Sequence, residues 1–189
     1  MIKTFVFMGL PGSGKGKQAE LLSEKTSFII HDSGDEYRKI AAGSDFVASK
    51  VRESMNAGDL QPVWFSAFIF QKSLLNLALD DGIIFEGVGR QEPEAHLFAE
   101  VCDWLGRDFR VLYFNVSETT VAERLRKRQE IEGRQDDDPA VFQNRLKNFY
   151  EHTLPAIEYF RSLNKVIDIN GEPLPDAVFV ELWQKVSAL

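Results

Sequence analysis

The residues best suited to chemistry crowd into one short run, Gly9-Leu-Pro-Gly-Ser-Gly-Lys-Gly-Lys17. Without side chains at Gly12, Gly14 and Gly16, the backbone can turn its N–H groups inward onto one point. Lys15 adds a point charge there. Donors converging beside a cation suit a phosphate. The apolar Phe5-Val-Phe-Met8 before the run and the helical pattern Gln18–Lys25 after it give strand, loop and helix. In that context the helix N-terminus adds its partial positive charge to the anion site. An ordinary turn between strand and helix does not account for this density of glycine and lysine. The end of the run is irregular. The general phosphate-loop pattern has Ser or Thr directly after the lysine, and here Gly16 and then Lys17 follow.

Further candidates are charged residues that follow apolar runs or share a helix face. Glu86 follows Ile83-Ile-Phe85, and a carboxylate at a strand end beside a phosphate loop commonly orients a metal's shell. It is equally placed to pair with Arg90. Arg124 and Arg128 stand four apart, hence on one helix face, where like charges repel by a few tenths of a kcal/mol. An anion between them gives the pair a reason to exist. A salt-laced surface helix is the plainer alternative, but it leaves unexplained why a net-acidic chain concentrates cations here. His31, His96 and His152 have no metal-ligand spacing and read as structural. The tryptophans and most phenylalanines fall on apolar positions and read as core.

These residues need a scaffold. The chain has 189 residues, is 44% apolar and carries a net charge of −7. That suits one domain and argues against a nucleic-acid or membrane-surface binder, so an anionic ligand must be held by locally clustered Arg and Lys. The single Cys102 excludes an internal disulfide and fits a reducing compartment. The N-terminus reads as a strand rather than a signal peptide, and no apolar run approaches the ~20 residues of a membrane span. A cytoplasmic protein is expected. Short continuous apolar runs predict strands buried on both faces at Ile2–Met8, Phe28–Ile30, Ile83–Phe85, Val111–Val116 and Val166–Ile169. Helical patterns lie between them, which predicts an α/β fold: a five-stranded parallel sheet with helices on both faces. Ligands in such folds sit at the carboxyl ends of the strands, where the Gly9 loop, His31 and Glu86 fall. A long insert, Asp32–Asp81, reads as three helical pieces, Gly34–Ala42, Asp45–Ala57 and Val63–Leu79. Later, Pro93–Leu105 reads as a helix, Ser117 caps another, Gln129–Gly133 is a polar loop and Asp138-Pro139 starts the next helix.

Several motifs resemble those of the adenylate kinases and related nucleoside monophosphate kinases. Gly9–Lys15 is similar to the family's GxPGxGKGT loop, with Lys17 in place of its threonine. His31-Asp-Ser-Gly-Asp-Glu-Tyr-Arg38 resembles STGDxxR, and Gly58-Asp-Leu-Gln-Pro62 resembles GELVP. Phe85-Glu-Gly-Val-Gly-Arg90 is similar to DGFPR, with Glu86 for Asp and Val88-Gly89 for Phe-Pro. Arg134-Gln-Asp-Asp137 resembles GRxDD at short-lid spacing, and Arg145-Leu146 matches an RL pair; Tyr150, Thr153, Pro155 and Tyr159 also fit. The resemblance implies one P-loop NTPase-like domain over residues 1–189, with a monophosphate-binding insert at about 33–62 and a lid at about 129–138.

It further implies that Gly12, Ser13, Gly14, Lys15, Gly16, Lys17, Arg124 and Arg128 bind ATP. Ser33, Arg38, Leu60, Gly87, Arg90, Glu94, Arg134 and Arg145 would bind the monophosphate. Lys15, Arg90, Arg128, Arg134 and Arg145 would act on the transferring phosphoryl group. Asp136 and Asp137 would pair with the arginines, and Glu86 would meet Mg²⁺ through water. Where the family has a glutamine that reads adenine, this chain has Glu94. Ionised, Glu94 offers only acceptors, which suits the N1–H and N2 amino donors of guanine rather than adenine N1. If instead it faces solvent near the start of its helix, it reads nothing. The expected activity is γ-phosphoryl transfer from ATP to AMP, the family default, or GMP, by a monomer. The alternative is a nucleotide-binding protein with weak or lost kinase activity, since Lys17, Glu86, Gly89 and Glu94 all depart from the motifs.

Overall fold

The computed structural model describes residues 2–78, 80–132 and 139–189, without the side chains of 128, 129, 131, 132 and 139. Five parallel strands form one sheet in the order β2-β3-β1-β4-β5: β1 (Thr4–Gly9), β2 (Ile29–Asp32), β3 (Ile83–Glu86), β4 (Phe109–Asn115) and β5 (Val166–Asn170). Side chains alternate across the central strand, and both faces are buried. Val6 and Met8 join Phe70, Phe85, Phe98, Val111 and Phe160 on one side. Phe5 and Phe7 join Leu22, Ile84, Leu112 and Leu182 on the other. The second layer comes from α1 (Lys15–Thr26) and α9 (Pro175–Ser187), tied by Gln18 Nε2 donating to the Pro175 carbonyl at 2.9 Å. The first comes from α4 (Val63–Leu75), α5 (Glu92–Trp104) and α8 (Leu154–Ser162).

The parallel register sets the site. Phe7 pairs with Glu86, and Glu86 pairs with Asp32. The two carboxylates therefore stand side by side at the ends of neighbouring strands, level with the point where β1 runs into the glycine loop.

The helices of the insert lie close to expectation: α2 (Ser33–Ala41), α3 (Phe46–Ala57) and α4. Asp32 caps α2 by accepting from Gly34 N at 2.7 Å, and Asp45 caps α3 by accepting from Ala48 N at 2.8 Å. Gly58 closes α3 in the left-handed conformation. As expected, the Ser117 hydroxyl accepts from Thr120 N at the start of α6 (Glu118–Glu132).

Four expectations need correction. First, α4 stops at Leu75 rather than Leu79, because a turn held by Asp81, which accepts from Ala78 N at 2.8 Å, ends the helix. Second, the edge strands β2 and β5 are not buried on both faces, and β5 keeps only Ile169 fully buried. On β2, Ile29 and Ile30 are 48% and 38% exposed, and the strand runs on to Asp32. Third, the segment Gln129–Glu132, expected as loop, continues α6. Fourth, Trp64 and Trp104 are not core residues but are exposed, at 72% and 79%. Cys102 is buried as expected, and burial pushes its thiol up to about 12. No helix among the described residues is long and apolar enough to cross a membrane.

Candidate active site

The glycine loop joins β1 to α1. Gly12 and Gly14 adopt φ values of +83° and +92°, which side-chain-bearing residues rarely occupy. A Cβ on Gly12 would also sit 2.8 Å from Leu125 Cγ on α6. The loop is thus pressed against α6 and needs glycine for two reasons. Ser13 is buried under it. Lys15 folds back over the loop, donating to the carbonyls of Gly9 at 3.1 Å and Leu10 at 2.8 Å and to Ser13 Oγ at 3.1 Å. Burial draws its ammonium down to about 8, with Arg90 and Arg145 adding to the effect and Glu86 opposing it. These charges therefore act on one space. A Cβ on Gly16 would stand 3.4 Å from Glu86 Oε2, so the missing side chain leaves room in front of that carboxylate.

Two adjoining cavities open at the carboxyl ends of β1, β2 and β3. The first is walled by the loop and Lys15, with Asp32, Glu86, Arg90, Arg145 and Thr153. The second lies under α2 and the Gly58–Gln61 turn, and Tyr37, Leu60, Ser66, Gln91 and Glu94 face it. Gly34, Arg38, Gly87, Arg90 and Arg145 border both. A third depression, on the α6 side of the loop, is bounded by Gly14, Gly16, Lys17, Glu86 and Arg124. The structure thus gathers the charged candidates from five separate stretches of sequence.

Individual placements differ in kind. Arg90 is half-buried, and its guanidinium is drawn down to about 10, first by desolvation and then by Arg145. Arg38 is half-exposed. Its Nε donates to Asp35 Oδ1 at 3.1 Å, and its Nη2 lies against Asp35 and, at 3.6 Å, Asp32. Ser33 is buried at the start of α2, below Gly87. Arg124 spans from α6 to the glycine loop. It donates to the carbonyls of Ser13 at 3.3 Å, Gly171 at 2.9 Å, Glu172 at 3.0 Å and Pro173 at 3.2 Å. These bonds, rather than an anion alone, explain a cation at that position. Lys17 points outward and pairs with Glu20 at 3.0 Å. Arg128 lies on α6, but its side chain is outside the described residues, as are Arg134, Asp136 and Asp137.

Glu94 does not face solvent. It is 1% exposed, and its Oε2 accepts from Arg90 N at 3.1 Å. Its Oε1 has no hydrogen-bond partner among the described residues. Burial pushes its carboxyl up to about 7 against the opposing pull of the Gly89, Arg90 and Gln91 amides and the Arg90 charge.

Other residues carried no sequence signal as members of the site. Tyr37 and Ser66 share a hydroxyl hydrogen bond of 2.9 Å on the wall of the second cavity. Gln91 donates to the Gln61 carbonyl at 2.9 Å, fixing the turn above that cavity. On α7 (Pro139–Asn148), Asn144 donates to the Ala57 carbonyl and to Asp59 Oδ1, both at 2.7 Å, and Asn148 donates to the Gly58 carbonyl at 3.0 Å. Between α7 and α8 the helix widens into a π-turn, Phe149–Thr153. Thr153, at its end, is 1% exposed with Oγ1 unpartnered among the described residues. Its fit to the sequence pattern was noticed without suggesting a role in the cavity.

Among the described residues no cluster of three or more His, Cys, Asp or Glu forms a self-sufficient metal cage. The donors beside the loop, Glu86 and Asp32, are hard oxygens. They suit a Mg²⁺ ion that keeps its waters and shares its shell with phosphates.

The sequence model of the family described as adenylate kinase matches residues 7–165. Relatives bearing that name include the adenylate kinase of Leuconostoc mesenteroides, 31% identical over 172 residues, covering 90% of this chain and 90% of its own. That of Thermosipho africanus is 29% identical over 205 aligned positions, covering 94% of this chain and 96% of its own. That of Leptospira biflexa is 30% identical over 171 residues, covering 90% and 92%.

Proposed function

This chain belongs to the adenylate kinase family, and from that premise we propose that it transfers the γ-phosphoryl group of ATP to a nucleoside monophosphate, giving ADP and a nucleoside diphosphate. One observation carries the reading: a single lysine–arginine cluster, Lys15, Arg38, Arg90 and Arg145, borders one cavity at the phosphate loop. A protein that only bound a nucleotide at its loop would gain nothing from cations on the far wall.

The donor phosphates would lie on the loop amides from Gly12 to Gly16. Lys15 would leave the carbonyls of Gly9 and Leu10 to reach the outer phosphates. Burial lowers the cost of that exchange, because a desolvated ammonium gains more from an anion than from neutral carbonyls. Lys17 and Arg124 lie on the donor side, with Arg128. The acceptor phosphate would sit between Arg38 and Arg90, and its base in the second cavity against Ser33, Leu60, Gly87 and Glu94. For Arg38, the acceptor phosphate replaces Asp35 as partner. The residues from about 33 to 62 form the acceptor-binding insert, and those from about 129 to 138 the lid, which brings Arg134. Transfer proceeds in line between the two nucleotides, so the chain's contribution is position and charge. Arg90, Arg145, Arg128 and Arg134 offset the charge that spreads over the transferring phosphoryl oxygens. Glu86 and Asp32 would hold the hydrated Mg²⁺ that comes with ATP. The ion supplies charge neutralisation at the β- and γ-phosphates. Closing the insert and lid excludes water, the competing acceptor. AMP is the acceptor expected from the family, and Glu94 opens the pocket to GMP.

A coupled assay of ATP consumption with Mg²⁺ and AMP, GMP, CMP or UMP tests the reading. Lys15→Met is expected to lower kcat about 10²–10³-fold, the range for loss of a charge-stabilising donor. Full activity of that variant would remove the site assignment. Tight nucleotide binding without turnover of any acceptor would favour a binding protein of the same fold.

A further inference from the structure

The second cavity contains two polar features that its walls do not use up. The first is Glu94, a lining residue whose Oε1 is buried and unpartnered among the described residues, while Oε2 is tied to Arg90 N. The second is the Tyr37–Ser66 hydroxyl pair, in which either oxygen can be the donor. Both share an uncommon property: their hydrogen-bond polarity can reverse. A carboxyl oxygen donates when protonated and accepts when ionised. Each hydroxyl has one donor and two acceptor lone pairs, and the pair turns its spare proton outward or inward by rotation.

Purines differ in this same respect along the edge that carries N1 and position 6. Adenine has an acceptor at N1 and an amino donor at position 6. Guanine has a donor at N1 and a carbonyl acceptor at position 6. We propose that Glu94 and the Tyr37–Ser66 pair form a base-reading site of reversible polarity, so that one pocket takes both 6-aminopurine and 6-oxopurine monophosphates and the proton on Glu94 decides between them. This rests on the reading of the second cavity as the acceptor site. Neutral Glu94 donates its O–H to adenine N1, and the hydroxyl pair accepts from the amino group. Ionised Glu94 accepts the N1–H of guanine, and the pair donates to the carbonyl.

The surroundings keep the decision on Glu94. The charged and titratable groups that face it are Arg90 from the loop before α5, Tyr37 and Arg38 from α2, Asp59 from the α3–α4 turn and Arg145 from α7. Burial pushes the Tyr37 phenol up to about 12 and leaves Arg90 at about 10, so both keep their charge state near neutrality. Among the described residues no histidine lines the cavity. Glu94, held near 7, is the group that changes there. The sign follows: below that point the neutral form favours adenine, and above it the anion favours guanine.

The test is the affinity of the full chain for AMP and for GMP, measured by isothermal titration between about pH 6 and about pH 8.5. The secondary ionisation of the phosphate is common to both ligands and cancels in their ratio. The ratio of Kd for AMP to Kd for GMP is expected to rise with pH across the whole range, by up to about tenfold per unit, as one proton requires. Glu94→Gln should bind AMP better at every pH and lose the dependence. A ratio that stays flat in the native chain overturns the proposal, and so does a Glu94→Gln variant that keeps the native slope. If Glu94→Gln fails to fold, the native ratio alone decides. Running the coupled assay on the same samples separates the two readings: a swinging affinity ratio without turnover would sink the kinase and leave the base-reading site, while turnover with a flat ratio would do the reverse.

Discussion

Lys17 occupies the place where its relatives' loop pattern has a hydroxyl, and the structure turns it outward to Glu20 at 3.0 Å. An exposed pair of this kind is screened by water and holds Lys17 only weakly. Yet Lys17 borders the donor-side depression with Gly14, Gly16 and Arg124. Lys17→Thr is therefore expected to raise KM for ATP by about two- to fivefold, or to shift the Mg²⁺ optimum, while leaving KM for the acceptor unchanged. Steady-state kinetics at several Mg²⁺ concentrations check this, and no change in either quantity makes Lys17 a bystander. The loop itself was legible in the sequence because its demands are local: glycines at positions of positive φ, and a lysine one step into the helix. Glu94 was legible only as a residue type. Nothing local showed that its helix turns it inward, and the shift of its carboxyl toward neutrality comes from that burial, a property of the folded chain.

At the scale of elements, the insert is held by α7 as well as by its own helices. A Cβ on Gly58 would lie 2.8 Å from the Val141 carbonyl, so the α3–α4 turn touches α7 directly. Asn144 and Asn148 then donate to three oxygens of that turn. The same turn leads into Leu60 and Gln61 above the second cavity. Asn144→Ala is expected to lower stability by about 1 kcal/mol, a typical loss for such hydrogen bonds. It should also raise KM for the acceptor several-fold and leave KM for ATP unchanged. Denaturant titration and steady-state kinetics read the two effects, and equal rises in both KM values would refute the selective role. Gly58 was readable as a helix stop, but the asparagines were not. A polar residue on a helix surface looks the same in sequence whether it faces water or caps a distant turn.

At the scale of the molecule, the order of strands and helices was legible because the central strands are apolar on both faces. The edges were misread for the matching reason: Ile29 and Ile30 have a central strand's composition but lie on an edge strand. The core beneath the site centres on Phe98, fully buried and edge-on to Phe70, Phe85 and Phe109 at 5.2–5.5 Å between ring centres. Phe98→Ala is expected to cost about 3–5 kcal/mol, measured by thermal or denaturant unfolding. A smaller loss would mean that the neighbouring rings collapse into the space. One residue of surplus has a different kind of consequence. The π-turn at Phe149–Thr153 accommodates an extra residue in an otherwise continuous rod. Phe149 at its start and Phe160 after it are both anchored in the core. Losing a single codon within the turn would restore ordinary helical winding and leave the two halves close to their present phase, because the wider turn absorbs the surplus locally. A codon lost in α7 or α8 outside the turn has no such sink and would rotate one half by about 100° against the other. Arg145 and Thr153, which now border one cavity, could not then both face it. Length is thus free to vary by one residue inside the turn and is fixed on either side of it.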